Sequence, residues 1–266
     1  MTFTRRALLE GAGALSAQVL LSRRVQALTT AQANPGKLTA LPGALDLTLT
    51  ALSSNILRIS ISPSNDAPRP AELGMVIEQG KDLDGPGRAH PGSIPWGKYS
   101  LKISADPLHV AAYEGHKLRQ EIRFDLDSTD VRFNITGPVF GLGEGVHPFD
   151  RRGTRDDMLN GEHSPDLQTF GARLPIPWVI SPEGWGVFIG QPSGSFDFTQ
   201  TEARFRGNEA TSTRNVYLLL GDTPAAVLRA YADLTGHPHL PPLWAFGYQQ
   251  SHRTLESGMP GFFCTS

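Results

Sequence analysis

A single cysteine in 266 residues, Cys264, excludes an intrachain disulfide and a thiolate metal cluster. Neither sign of charge is in excess. Against 26 Asp and Glu stand 24 Lys and Arg, a formal net charge of −2, so the basic footprint of a nucleic-acid binder is missing. No apolar run is long enough for a stable membrane span; residues 7–21 are only mildly apolar and rich in Ala and Gly. His147, His163, His237 and His239 lack metal-ligand spacing on a common helix face, which leaves no zinc site indicated. Internal repeats and low-complexity tracts are also missing. Gly141-Leu-Gly-Glu-Gly145 has the glycine density of a phosphate loop but not the helix and lysine that should follow, and reads as a tight β-turn.

What the chain does contain is a long series of short strand patterns. Residues 45–52 alternate apolar and polar side chains, and 56–61 follow after a short turn, the pattern of an opening hairpin. Further strands are expected at 99–103, 108–113, 118–126, 131–135, 175–180, 187–189, 196–198, 203–205 and 216–220. Short strands separated by turn signals predict an all-β sandwich. Residues 65–70 and 83–96, rich in Pro and Gly, are expected as surface loops. Trp178 and Trp185 sit within strand patterns, which favours core packing over an exposed role.

The two ends read differently. Thr4-Arg-Arg-Ala-Leu-Leu-Glu10 is a twin-arginine pattern, followed by the mildly apolar run and by small-residue cleavage sites at Ala27 and Ala33. Arginines, apolar run and cleavage site in that order point to an export signal over residues 1–33 rather than an amphipathic N-terminal helix. The expected destination is the periplasm or the exterior of a bacterium, reached through the twin-arginine export machinery. Near the other end, Thr223 is placed as a helix N-cap with Pro224 at the first helical position, where its missing N–H costs nothing. Val227, Leu228, Tyr231 and Leu234 recur at helical spacing, and Gly236 supplies the stop. Pro238, Pro241 and Pro242 then force an extended course into an apolar strand over 243–248. This divides the chain into a signal (1–33), a β-sandwich domain (34–238) and a linker with one strand of a second domain (239–266).

Three ordered blocks carry a family resemblance. They are Val139-Phe-Gly-Leu-Gly-Glu-Gly-Val-His-Pro-Phe-Asp-Arg-Arg-Gly153, Ile176-Pro-Trp-Val-Ile-Ser-Pro-Glu-Gly-Trp-Gly-Val-Phe-Ile-Gly190, and the capped helix with its proline linker and the strand after it. Together they resemble glycoside hydrolase family 31, the α-glucosidase and α-xylosidase family, where the N-terminal sandwich hands over to a (β/α)8 barrel. The resemblance implies a galactose-mutarotase-like sandwich, α-glucoside or α-xyloside carbohydrate as partner, and no metal or organic cofactor. It also implies a chain truncated at the first barrel strand, with an atypical tail over 257–266.

A retaining glycosidase needs two carboxylates about 5–5.5 Å apart. In the resembled family both are barrel aspartates, one in a Trp-x-Asp-Met-like motif. None of Trp96, Trp178, Trp185 and Trp244 is followed two residues later by Asp, and Asp156-Asp157-Met158 lacks the tryptophan, so no catalytic residue is expected in these 266 residues. The family's sandwich loop lends a polar side chain to the sugar site. On that alignment Asn160 and Glu162 fall at the matching positions, Glu replacing the usual Asp, and a carboxylate there can accept from two sugar hydroxyls. A solvated turn rich in Gly, Asn and Pro explains the same residues without a ligand. Glu144 and the arginines of Asp150-Arg-Arg-Gly153 are expected to form an ion pair that braces this loop. Two other readings stand beside the glycosidase one. A freestanding carbohydrate-binding sandwich is one; a mutarotase-like enzyme using Glu144 with His147 or His163 as acid and base is the other.

Overall fold

The computed structural model describes residues 37–41, 45–63, 76, 81–83, 93–105, 107–144, 148–158, 174–191, 193–207 and 214–247. The expected signal (1–33) and tail (257–266) lie outside them, as does the loop expected at 65–70. The chain divides into two units, Met1–Gly236 and His237–Ser266.

In the first unit the described residues form two antiparallel sheets of eight strands each. One contains β1 (Lys37–Leu41), β2 (Leu45–Ala51), β3 (Ile56–Pro63), β4 (Lys81–Asp82), β10 (Phe140–Gly141), β12 (Trp178–Ser181), β13 (Trp185–Ile189) and β16 (Arg214–Leu220). Its order is β1-β2-β3-β16-β13-β12-β10, with β4 also pairing with β2. The other contains β5 (Ser93–Trp96), β6 (Tyr99–Ala105), β7 (Leu108–Glu114), β8 (Lys117–Phe124), β9 (Asp130–Asn134), β11 (Arg155–Asp157), β14 (Gly194–Asp197) and β15 (Glu202–Gly207), in the order β11-β14-β15-β9-β8-β7-β6-β5. The all-β sandwich expected from strand alternation is what forms.

Side-chain alternation sets the register. Leu47 pairs with Ile61 and Leu49 with Ile59, so the apolar set of the first hairpin faces one way, into the core between the sheets. Phe133, Phe196 and Phe205 answer it from the opposite sheet. Strand β16 is buried along its whole length because both its faces are covered. Val216, Leu218 and Leu220 point into the inter-sheet core, while Tyr217 and Leu219 point under a helix.

That helix, α1 (Pro224–Thr235), begins as expected: the Thr223 side chain accepts a hydrogen bond from the Ala226 N–H at 3.2 Å, and Pro224 opens the first turn. It ends at Gly236, whose φ of 97° suits glycine alone and whose N–H donates to the Ala232 carbonyl at 2.8 Å. Its buried face is Val227, Ala230 and Leu234; Leu228, expected on that face, is exposed. Tyr231 stacks on Trp178 with ring centroids 4.3 Å apart, and Trp185 lies in the core edge-on to Phe133. Both tryptophans are packing residues.

Two expectations are corrected. The loop predicted at 83–96 ends in a strand, β5, with Ile94 and Trp96 buried and the Trp96 indole N–H donating to the Ser53 carbonyl at 2.8 Å. Pro95 disguised it, yet proline is tolerated here because β5 is an edge strand and Pro95 faces solvent. In the second unit, the strand predicted at 243–248 is instead a 3-10 turn over Leu243–Phe246, closed by Ala245 N–H to the Pro242 carbonyl and Gly247 N–H to the Trp244 carbonyl. A strand needs neighbouring strands to satisfy its backbone groups; a 3-10 turn satisfies them locally.

Candidate functional site

The site begins with a backbone that only glycine-rich sequence permits. Gly141, Leu142 and Gly143 all have positive φ, at 119°, 68° and 74°. A Cβ at Gly141 would lie 2.2 Å from the Trp178 carbonyl oxygen, and one at Gly143 would lie 2.0 Å from that of Leu174, so both positions exclude a side chain. Leu142 pays the steric cost of this conformation, roughly 1–2 kcal/mol. Its side chain is fully buried in the core, a gain of about 1.5–3 kcal/mol that outweighs the strain. This bent stretch continues the pairing of β10 and is held by several hydrogen bonds. Leu142 N–H donates to the Trp178 carbonyl at 2.8 Å, and Glu144 N–H donates to that of Leu174 at 3.0 Å. Arg151 donates from Nε and Nη2 to the Gly141 carbonyl at 3.1 and 2.8 Å.

Arg151 is nearly inaccessible, and its Nη1 lies 3.9 Å from Oδ2 of Asp156, which is buried on β11. The guanidinium therefore joins a carbonyl at the end of one sheet to a carboxylate on the edge strand of the other. Next to it, Asp150 takes Arg152 in a pair with contacts of 2.6 and 2.9 Å, and its Oδ1 also accepts from the Val139 and Arg152 backbone N–H groups. The Arg152 hydrogen bonds hold the Asp150 carboxyl down to about 2. This corrects the expected pairing: the arginines engage Asp150 and Asp156 rather than Glu144, whose side chain is exposed. Asp156 carried no sequence signal beyond two adjacent carboxylates. A buried partner for Arg151 was legible only once β11 had been placed on β14.

This brace surrounds both ends of the segment 159–173. Before it, β11 pairs with β14, and Met158, itself buried, donates its N–H to the Gly194 carbonyl at 2.9 Å. After it, Leu174 forms a bridge with Glu144, and Ile176 N–H reaches the Leu142 carbonyl at 3.4 Å. The segment thus leaves from one sheet and returns to the other. Asn160 and Glu162, the expected sugar-contacting residues, lie outside the described residues, as do His147 and His163 of the acid–base alternative. At the return point Leu174 and Ile176 are exposed; Phe149 is exposed too, its ring lying on that of Phe140 with centroids 4.6 Å apart.

No family model matches the chain. Curated relatives do match it. The chain is 29% identical over 143 residues to an α-xylosidase of Emericella nidulans, covering 50% of this chain and 18% of that enzyme. It is 24% identical over 219 residues to α-glucosidase 2 of Bacillus thermoamyloliquefaciens, covering 76% of this chain and 28% of the relative. Among solved structures, the glycoside hydrolase family 31 dextranase of Flavobacterium johnsoniae, complexed with isomaltotriose, superposes with a TM-score of 0.64 at 22% identity, over 77% of this chain and 27% of that one. The chain is related to glycoside hydrolase family 31 over part of its length. The family 31 relationship makes this a glycosidase-related domain, and the dextranase superposition shares its sandwich fold. The chain spans only 18% and 28% of the two curated relatives' own lengths.

Proposed function

We propose that this chain is the sandwich and substrate-loop domain of an exported, retaining α-glycosidase acting on α-glucosides or α-xylosides. The observation that carries the reading is the relationship to an α-xylosidase and an α-glucosidase over 143 and 219 residues. Asn160 and Glu162 carry the sugar contacts of this reading because the family resemblance aligns them there, between Met158, hydrogen-bonded to Gly194, and Leu174, bridged to Glu144. In this reading Glu162 accepts hydrogen bonds from sugar hydroxyls, Asn160 supplies both a donor and an acceptor, and the paired carboxylates of the reaction come from a barrel domain.

Two measurements test it. The 266 residues alone should give no turnover of aryl α-glucosides or α-xylosides, since neither leaving-group protonation nor a glycosyl-enzyme intermediate has its carboxylate. Joined to a family 31 barrel, the chain should form an enzyme in which Glu162→Ala raises KM by about tenfold. Turnover by the purified chain alone, or a KM indifferent to Glu162, would contradict the proposal. Export through the twin-arginine route is the second part of the reading, resting on the Arg5-Arg6 pair and its flanking pattern. Replacing both arginines by lysine should leave the precursor inside the cell; undiminished periplasmic delivery of that variant would reject the route.

A further inference from the structure

We infer that Arg132 and Arg204, side by side on the outer face of the sheet that holds β9 and β15, bind a phosphate-class anion. This site is separate from the sugar chemistry proposed above and does not depend on it. Strand register brings the residues together. Arg123 on β8 pairs with Arg132 on β9, and Arg132 pairs with Arg204 on β15, so three arginines stand in one row across the sheet. Ile122, Val131, Phe133, Ala203 and Phe205, the alternate residues of the same strands, lie in the core, which turns the arginines to the opposite face. Like charges directly opposite on neighbouring strands destabilise a sheet. Carboxylates set between the arginines offset this, and Arg123 is fully served by them: it donates to Glu121 at 2.7 Å and to Glu202 at 2.8 Å.

Arg132 and Arg204 are not served in that way. Beneath them lies Asp130, its side chain only 3% exposed. Arg206 takes this carboxylate as a fork, Nε to Oδ1 at 2.8 Å and Nη2 to Oδ2 at 3.2 Å. Arg132 Nη2 and Arg204 Nη1 approach the same Oδ2 only to 3.9 and 3.7 Å. Their other acidic contacts are as long, 3.6 Å from Arg132 to Glu202 and 3.7 Å from Arg204 to Asp197. Those two carboxylates are held more closely by Arg123 at 2.8 Å and by Arg155 at 3.0 Å. Contacts beyond about 3.5 Å are coulombic and not hydrogen bonds. Both guanidiniums thus converge on one buried oxygen while, among the described residues, neither side chain donates a hydrogen bond, and they remain 41 and 35% exposed. Three arginines around one carboxylate favour a further anion. A carboxylate matches a single guanidinium fork. A phosphate carries more oxygens, arranged tetrahedrally, and more charge, so it can accept from two adjacent forks at once.

Isothermal titration calorimetry of the full 266-residue chain tests this, with inorganic phosphate and glycerol 3-phosphate as probes and sodium chloride holding the ionic strength constant. Phosphate should bind saturably at one site. Arg132→Gln and Arg204→Gln should each weaken that binding about tenfold. Arg132→Lys should weaken it too, because it keeps the charge and loses the fork. Arg155→Gln removes a charge from the same face, but one committed to Asp197, and should leave the affinity unchanged. Equal or tighter binding of inorganic phosphate identifies the bare anion as the ligand, and tighter binding of glycerol 3-phosphate identifies a phosphate ester; either result keeps the site. Absence of saturable binding by both probes overturns it. So does an affinity that Arg155→Gln lowers as much as Arg204→Gln, or that Arg132→Lys leaves unchanged, since a general positive field would then account for the attraction.

Discussion

Arg151→Met should lower the unfolding free energy by about 3–5 kcal/mol, the range for breaking a buried ion pair from one side. Its side chain and that of Asp156 are almost completely buried, and they are 3.9 Å apart. Methionine fills similar volume but removes the positive charge beside the Asp156 carboxylate and both hydrogen bonds to the Gly141 carbonyl. Desolvated charge is what makes the effect large. The neighbouring Asp150–Arg152 pair has shorter contacts, yet water screens it, so Arg152→Ala should cost at most about 1 kcal/mol. With typical domain stability at about 5–15 kcal/mol, only the first change threatens the fold. Urea melts of the two single variants and of Arg151→Met combined with Asp156→Leu measure the contrast. The double variant should recover most of the loss, because both members of the buried pair are then replaced by apolar side chains. A single-variant loss below about 1 kcal/mol would show that the pair is not what ties β10 to β11.

Deleting everything after His239 should convert a self-associating protein into a monomer without changing the melt of the sandwich. Leu240, Leu243, Trp244 and Phe246 are 90, 87, 77 and 65% exposed, and the 3-10 turn that carries three of them buries none of its residues. Each such side chain stands to gain about 1.5–3 kcal/mol on burial, so two copies meeting through this segment recover an appreciable association free energy. Light scattering or sedimentation across a concentration series reads the oligomeric state, and calorimetry reads the melt. Loss of the cooperative transition on deletion would place the segment in the sandwich core and move the domain boundary.

Much of the architecture was legible because burial on one face of a strand writes a period of two into the chain. Leu47 and Leu49 answer Leu57, Ile59 and Ile61 in that way, and the hairpin they predict is the hairpin that forms. The helix was legible for a similarly local reason. Thr223, Pro224 and Gly236 satisfy or remove backbone groups at its two ends without help from elsewhere. Where local chemistry and tertiary position disagreed, position won. Pro95 marks a loop in one dimension and an edge strand in three. Leu228 has helical spacing but turns to solvent, while the smaller Ala230 faces the sheet.

The braced elbow was legible only in its materials. Glycines at 141 and 143 announced backbone that admits no side chain, since none fits beneath the carbonyls of Trp178 and Leu174, but the tight β-turn expected from them is instead a bent continuation of the pairing of β10 as far as Glu144 and Leu174. That Leu142 would share their left-handed conformation could not be read from it, because its compensation is burial in a core assembled from distant strands. The partner of Arg151 was likewise hidden. By itself the sequence determined the strand alternation and the helix ends, which depend on a residue and its near neighbours. Only the tertiary structure decided which carboxylate Arg151 meets and which aromatic stays in solvent. Long-range pairing of β10 with β12 and of β11 with β14 sets both, and no local pattern encodes a contact whose two sides are brought together by the fold.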